Sequence, residues 1–174
     1  MEKMNTVVAV YSTHAQAEEA IRSFKSSTFD MKKLSIVGKD YHSEEHVIGF
    51  YNIGDRMKFW GKRGAFWGGF WGLLFGSGLF LIPGVGHIMV LGPLVGWIVG
   101  ALSNAAVVGG LTALGAGLYS IGIPKDSIVR YETALKADHF VVVAHGTVTE
   151  VATAKGILEG TNPLSVDEHL ASAA

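Results

Sequence analysis

The sequence predicts an α+β fold: a ferredoxin-like α/β sandwich interrupted by a glycine-rich apolar helical hairpin, the hairpin being either membrane-inserted or buried in an oligomer. Three observations predict it. Short β-branched runs alternate with helical apolar stripes at both ends of the chain. From Gly64 through Pro124 there is no Asp, Glu, Lys or Arg. That uncharged stretch also holds most of the 23 glycines. At 174 residues the chain fits one ordinary domain plus an insertion, and it is long enough to bury a core.

The first half of the sandwich is expected over residues 1–55. Thr6 to Tyr11 reads as a strand, rich in β-branched residues and followed by the turn-prone Ser12-Thr13. In His14 to Lys25, Ala17, Ala20, Ile21 and Phe24 recur at helical spacing, with Glu18, Glu19, Arg22 and Lys25 on the other side. Leu34 to Val37 is a second strand and Val47 to Tyr51 a third, across the polar loop Lys39 to His46. The second half is expected over 124–160. Pro124 favours the first turn of a helix that runs to Ala137 with Ile128, Tyr131, Ala134 and Leu135 on one face. His139 to His145 is the clearest strand, and Thr147 to Glu150 matches a capping box opening a helix from Val148 to Leu158. Residues 161–174, after the Asn162-Pro163 break, read as a tail. The order is β-α-β-β, insertion, α-β-α, a sandwich interrupted after its third strand. Because both flanks supply strands, removal of the insertion is expected to leave a folded frame.

Residues 56–123 form the insertion. One bilayer crossing uses about 20 apolar residues in a helix, so the uncharged stretch offers two or three. Pro83-Gly84-Val85-Gly86 is a strong turn signal that divides it, with Pro83, Gly84 and Gly86 as the hairpin turn between a first arm from Gly64 to Ile82 and a second from His87 onward. Asn104 to Gly122 is expected as a return helix. Gly64, Gly68, Gly72 and Gly76 repeat every fourth residue, and Gly92, Gly96 and Gly100 do so again. Each glycine costs about 1 kcal/mol against alanine in an exposed helix, and close approach of packed helices is the known compensation. These seven glycines are therefore the expected packing seam. Just before them, Arg56, Lys58, Trp60, Lys62 and Arg63, with Trp67 beyond, interleave basic and aromatic side chains, which suits the headgroup region of a cytoplasmic membrane face. Such a run is equally the solvated start of an apolar helix.

Several function classes are disfavoured. A net charge of −1 and a pI near 6.6 supply no basic face for nucleic acid. The absence of cysteine removes disulfides, thiolate metal sites and a cysteine nucleophile, and the N-terminus lacks the apolar core of a signal peptide. His87, beside the turn, reads as a solvated histidine. His42-Ser43-Glu44-Glu45-His46 matches the letters of an inverted zinc-hydrolase motif, but it lies in a polar loop without a helical stripe, so no metal site is expected. Phosphate-binding glycine loops and the G-x-S-x-G elbow are absent. No catalytic residue and no cofactor are expected.

Ile82-Pro83-Gly84-Val85-Gly86, Leu91-Gly92-Pro93-Leu94, Gly109-Gly110-Leu111, Leu118 to Ser127, Tyr131 to Asp138 and the strand Phe140 to His145 resemble the bacterial general-stress and low-temperature-induced protein family. The resemblance extends from Thr6 to about Gly146 and is strongest from Ile82 onward. It implies a glycine-rich apolar segment between two halves of an α/β domain, a stress-associated role and no established catalysis. The leading expectation is a non-enzymatic protein that self-assembles into homo-oligomers through glycine-zipper helices and associates with the cytoplasmic membrane or lipid, its domains facing the cytoplasm. The alternatives are a water-soluble homo-oligomeric shell with the hairpins buried around a lipid-like core, and an accessory or sensor subunit of a membrane complex.

Overall fold

The computed structural model describes residues 4–39, 77–103 and 111–171. Strand β1 (Asn5–Tyr11) leads through Ser12 and Thr13 into helix α1 (His14–Lys25), whose N-terminus is capped by the Thr13 hydroxyl accepting from the Gln16 amide. Ala17, Ala20, Ile21 and Phe24 form the buried stripe that the spacing predicts. A short 3-10 turn (Met31–Lys33) precedes β2 (Leu34–Lys39). The chain is next described at β3 (Ser77–Ile82) and β4 (Gly86–Leu91), then α2 (Leu94–Ser103), α3 (Ala113–Ser120) and α4 (Lys125–Lys136). It closes with β5 (Phe140–Gly146), α5 (Val148–Glu159) and β6 (Ser165–His169). The expected capping box is formed: Thr147 accepts from the Glu150 amide, and the Glu150 carboxylate accepts from the Thr147 amide.

The six strands form one sheet in the order β3-β4-β2-β5-β1-β6, every neighbouring pair antiparallel. Side chains alternate across it, so β1, β2, β4 and β5 each feed two cores. Val7, Ala9, Tyr11, Leu34, Ile36, Val142 and Ala144 pack against α1 and α5 on one face. Val8, Val10, Val37, Val141 and Val143 pack on the other face against Leu94 and Ile98 of α2, Leu114 and Leu118 of α3, and Ile128, Tyr131 and Leu135 of α4.

Three expectations are corrected. Next to the turn, the described ends of the two arms, Ser77–Ile82 and Gly86–Leu91, are strands where helix was expected. Ile82 pairs with Gly86 across a loop of three residues, closed by the Val85 amide donating to the Ile82 carbonyl at 3.0 Å, and Gly84 and Gly86 take positive φ. Such a tight loop brings the two arms to backbone hydrogen-bonding distance, and β2 then captures β4 from Ile36↔Leu91 to Lys39↔Ile88. Secondly, the apolar run beyond Gly92 is cut short. Helix α2 has 10 residues, a rise of about 15 Å against a hydrocarbon thickness of about 30 Å. Among the described residues no helix is long and apolar enough to cross a membrane. Thirdly, helix α4, expected in the second half of the sandwich, lies with α2 and α3 on the face opposite α1 and α5, while the supposed tail contains β6, paired with β1 from Thr6↔His169 to Val10↔Ser165. The insertion therefore supplies nine of the 17 buried residues in the core on that second face. The expected third strand, Val47 to Tyr51, lies outside the described residues.

Candidate functional site

Helix α2 is the described part of the insertion on which the glycine stripe is best placed. Gly92 and Pro93 set its entry. Gly92 has φ +103°, and a Cβ there would lie 2.3 Å from the Leu34 carbonyl oxygen and 2.8 Å from Ser35 Cα. The close approach of Gly92 is thus to the backbone of β2, not to another helix. The buried Ser35 hydroxyl accepts from the Leu94 amide at 3.1 Å and satisfies one open donor of the first turn. Leu94, Ile98 and Ala101 then point inward. Trp97 stacks edge-on against His145 of β5, with ring centroids 4.6 Å apart. Burial holds that imidazole below its ordinary value, which favours the neutral ring.

The outward side of α2 is unlike the surfaces of α1, α4 and α5, which carry charged side chains. It carries no charge. Val99 is 50% and Leu102 47% exposed. A Cβ built on Gly96 meets nothing within 4 Å, so among the described residues this glycine marks no close helix contact. The close helix contact is made instead by Gly117 of α3, a glycine that the fourfold repeat does not include. A Cβ there would lie 2.5 Å from Ile98 Cγ1 and 3.1 Å from Ile98 Cα. Leucine and alanine on either side gave Gly117 no distinguishing signal in the sequence.

The turn residues Pro83 and Gly84 are exposed, and Gly86 opens β4. His87 sits in β4 opposite Leu81, which is itself strongly exposed. Gly64, Gly68, Gly72 and Gly76 lie outside the described residues, as do Arg56, Lys58, Trp60, Lys62, Arg63 and Trp67 and the His42 to His46 motif.

A second polar constellation, which sequence reading missed, joins α4 to β6. The Tyr131 hydroxyl lies 2.7 Å from Nε2 of His169 and 3.3 Å from a carboxylate oxygen of Asp167. Arg130 reaches Asp167 at 3.4 Å and donates to the Ser127 hydroxyl at 3.2 Å. Burial, followed by the nearby Asp167 charge, raises the Tyr131 phenol well above its ordinary range, so it keeps its proton. Ser127 bonds to Arg130 and Tyr131 rather than to the imidazole, so no nucleophile is paired with a base. The chemistry available here is docking: side chains of α4 hold an edge strand.

Among the described residues, no group of three or more His, Asp or Glu is placed to hold a metal ion. Residues 6–80, rather less than half of the chain, match the family described as the heat induced stress protein YflT domain. The match spans β1, α1 and β2 and ends within β3, before Ile82, where the resemblance carried by the sequence motifs is strongest. Comparison with curated proteins and with solved structures gives no match.

Proposed function

We propose, with the stress-protein match over residues 6–80 as premise, that the protein is a non-enzymatic, stress-associated assembly protein that forms homo-oligomers through its apolar insertion. The frame is read as a ferredoxin-like sandwich made of β6-β1-β5-β2 with α1 and α5 on one face, the insertion entering between β2 and β5. The observation that carries the assembly reading is the outward face of α2. It combines an uncharged helix, half-exposed Val99 and Leu102, and Gly96, over which a neighbouring backbone has room to approach. A second copy presenting the same face supplies an apolar partner with the same notch, the self-complementary geometry of a two-fold contact.

A second reading adds the cytoplasmic membrane surface. It rests on the basic and aromatic run from Arg56 to Arg63, which suits an anionic headgroup layer. The two readings are compatible, because a helix too short to cross a bilayer still offers an apolar face to lipid or to protein.

The test uses Gly96→Ile together with Gly100→Ile in the full chain. Within one chain a Cβ added at either position has room, and replacing helical glycine removes an intrinsic cost of roughly 0.5–1 kcal/mol per site. Each monomer should be at least as stable as before, while the notch between copies is filled. The expected result is a smaller particle on detergent-free sizing with an undiminished unfolding midpoint. A double variant of wild-type size would overturn the α2 assembly face, and flotation of wild-type protein with anionic vesicles tests the membrane reading separately.

A further inference from the structure

We propose that the C-terminal strand β6 is a releasable strap, held along the β1 edge by titratable side chains and let go by mild acid. It is independent of the α2 face and rests on how little fastens the strand beyond its backbone ladder with β1. Of its five residues only Val166 packs against a hydrophobic core. Asp167 and His169 face α4, where they meet Arg130 and the Tyr131 hydroxyl. Glu168 faces the other way and pairs with Lys155 of α5 at 3.2 Å. Beyond the strand, the Ala171 amide donates to the Asn5 side chain at 3.0 Å. Arg130, Asp167, Glu168 and Lys155 are all partly exposed, and such ion pairs are individually weak. A short edge strand with one apolar anchor belongs to the part of a fold that opens locally without global unfolding.

The hinge is built in as well. Between α5 and β6, Asn162 adopts φ +53° and is followed by Pro163, so the chain changes direction sharply there. The turn before it stays fixed to the body through the buried Tyr11 hydroxyl, 2.8 Å from the Thr161 hydroxyl. Release can therefore stop at this point. Once free, β6 leaves β1 with an unpaired edge of backbone donors and acceptors, a ready template for another strand.

Acid acts through the cluster on α4. With its proton on Nδ1, neutral His169 accepts from the Tyr131 hydroxyl through Nε2. Protonation removes that acceptor and places a second cation beside Arg130. The groups facing the imidazole are Arg130 and Tyr131 from α4, uncharged Thr6 from β1 and Asp167 from β6 itself. Asp167 favours the imidazolium, but burial outweighs it and holds His169 below the ordinary histidine value of 6.5. A folded-state value below the unfolded one means that the docked strand prefers the neutral ring. Its docking stability is complete above pH 6.5 and declines as the pH falls through and below that value.

Hydrogen exchange of the full chain, read by mass spectrometry at about pH 7.5 and about pH 5.5 and divided by the intrinsic rates, tests this. Exchange in Ser165–His169 should rise by up to about tenfold at the lower pH, the protonation factor of an ordinary histidine there. Phe140–Gly146 in β5 should not change. His169→Gln keeps an acceptor for Tyr131 but takes up no proton, and should abolish the rise. A wild-type β6 whose corrected exchange is the same at both pH values overturns the proposal, whether or not the variant folds. A His169→Gln protein that keeps the full rise overturns it too.

Discussion

Gly92, Gly96 and Gly117 lie in one uncharged stretch and look alike in sequence, yet their surroundings demand different things of them. At Gly92 a side chain would have to accept a left-handed backbone and enter the Leu34 carbonyl. Gly92→Ala is therefore expected to cost about 3 kcal/mol or more, combining backbone strain with overpacking. At Gly117 the backbone is ordinary and the obstacle is Ile98 of the neighbouring helix, so Gly117→Ala should cost roughly 1–3 kcal/mol. Gly96→Ala meets open space and should stabilise the monomer by about 0.5–1 kcal/mol. Urea unfolding of the three variants gives this order directly. A Gly96→Ala protein as damaged as Gly117→Ala would mean that α2 is packed against something beyond its neighbours within the chain. The period-four stripe is legible in the sequence, but which glycines touch a neighbour depends on which way the helix faces, and spacing does not carry that information.

At the level of elements, α5 shows local and distant sequence acting on one side chain. The capping box of Thr147 and Glu150 is written in adjacent residues and is legible from the amino-acid order alone. Lys33, far away in the chain, adds an ion pair to Glu150 at 2.7 Å that no local pattern announces. The Lys33 ammonium first, and the Thr147 amide next, lower the Glu150 carboxyl to about 2 from an ordinary 4.5. Because the folded-state value is depressed, this contribution is present above pH 4.5 and is lost as the pH falls toward 2. Glu150→Gln should accordingly melt at a lower temperature than wild type at neutral pH, with the two melting temperatures converging as the pH drops through that window. Curves that stay parallel down to pH 2 would show that the carboxylate contributes nothing through its charge. Strands β3 and β4 are the converse case: their composition suits an apolar helix equally well, and the turn geometry together with capture by β2 decides for the sheet.

Among the described residues the molecule is a sheet covered on both sides, and the insertion together with α4 makes one of the two covers. Deleting Gly64 to Ile121 would remove β3, β4, α2 and α3 and uncover Val8, Val10, Val37, Val141 and Val143, leaving α4 as the last described cover of that face. Contrary to the expectation from sequence, such a shortened chain should lose cooperative unfolding and bind a hydrophobic dye, since a sheet face of this kind is not stable in water. A sharp thermal transition in the shortened protein, with near-ultraviolet circular dichroism retained, would show that α4 alone suffices. Strand order makes the same point at this scale. Strands β1 and β2 run parallel with β5 between them, so residues over a hundred positions apart build the centre of the sheet.

Local grammar follows from the amino-acid order: the strands at Thr6, Leu34 and Phe140, the apolar stripe of α1, the capping box of α5, the turn at Pro83 to Gly86 and the abrupt limits of the uncharged stretch. Each of these rests on backbone preference, hydrogen bonding over a few residues, or periodicity, and all of those act within one segment. The rest is settled only when the chain closes on itself. Closure turns an apolar run into β3 and β4, puts α4 on the opposite face from α1 and α5, and makes a strand of Ser165–His169. It also gathers Arg130, Tyr131, Asp167 and His169 into one cluster. The physical reason is common to all of these: an apolar or polar residue states that it will be buried or paired, while its partner is chosen by the shape the whole chain closes into.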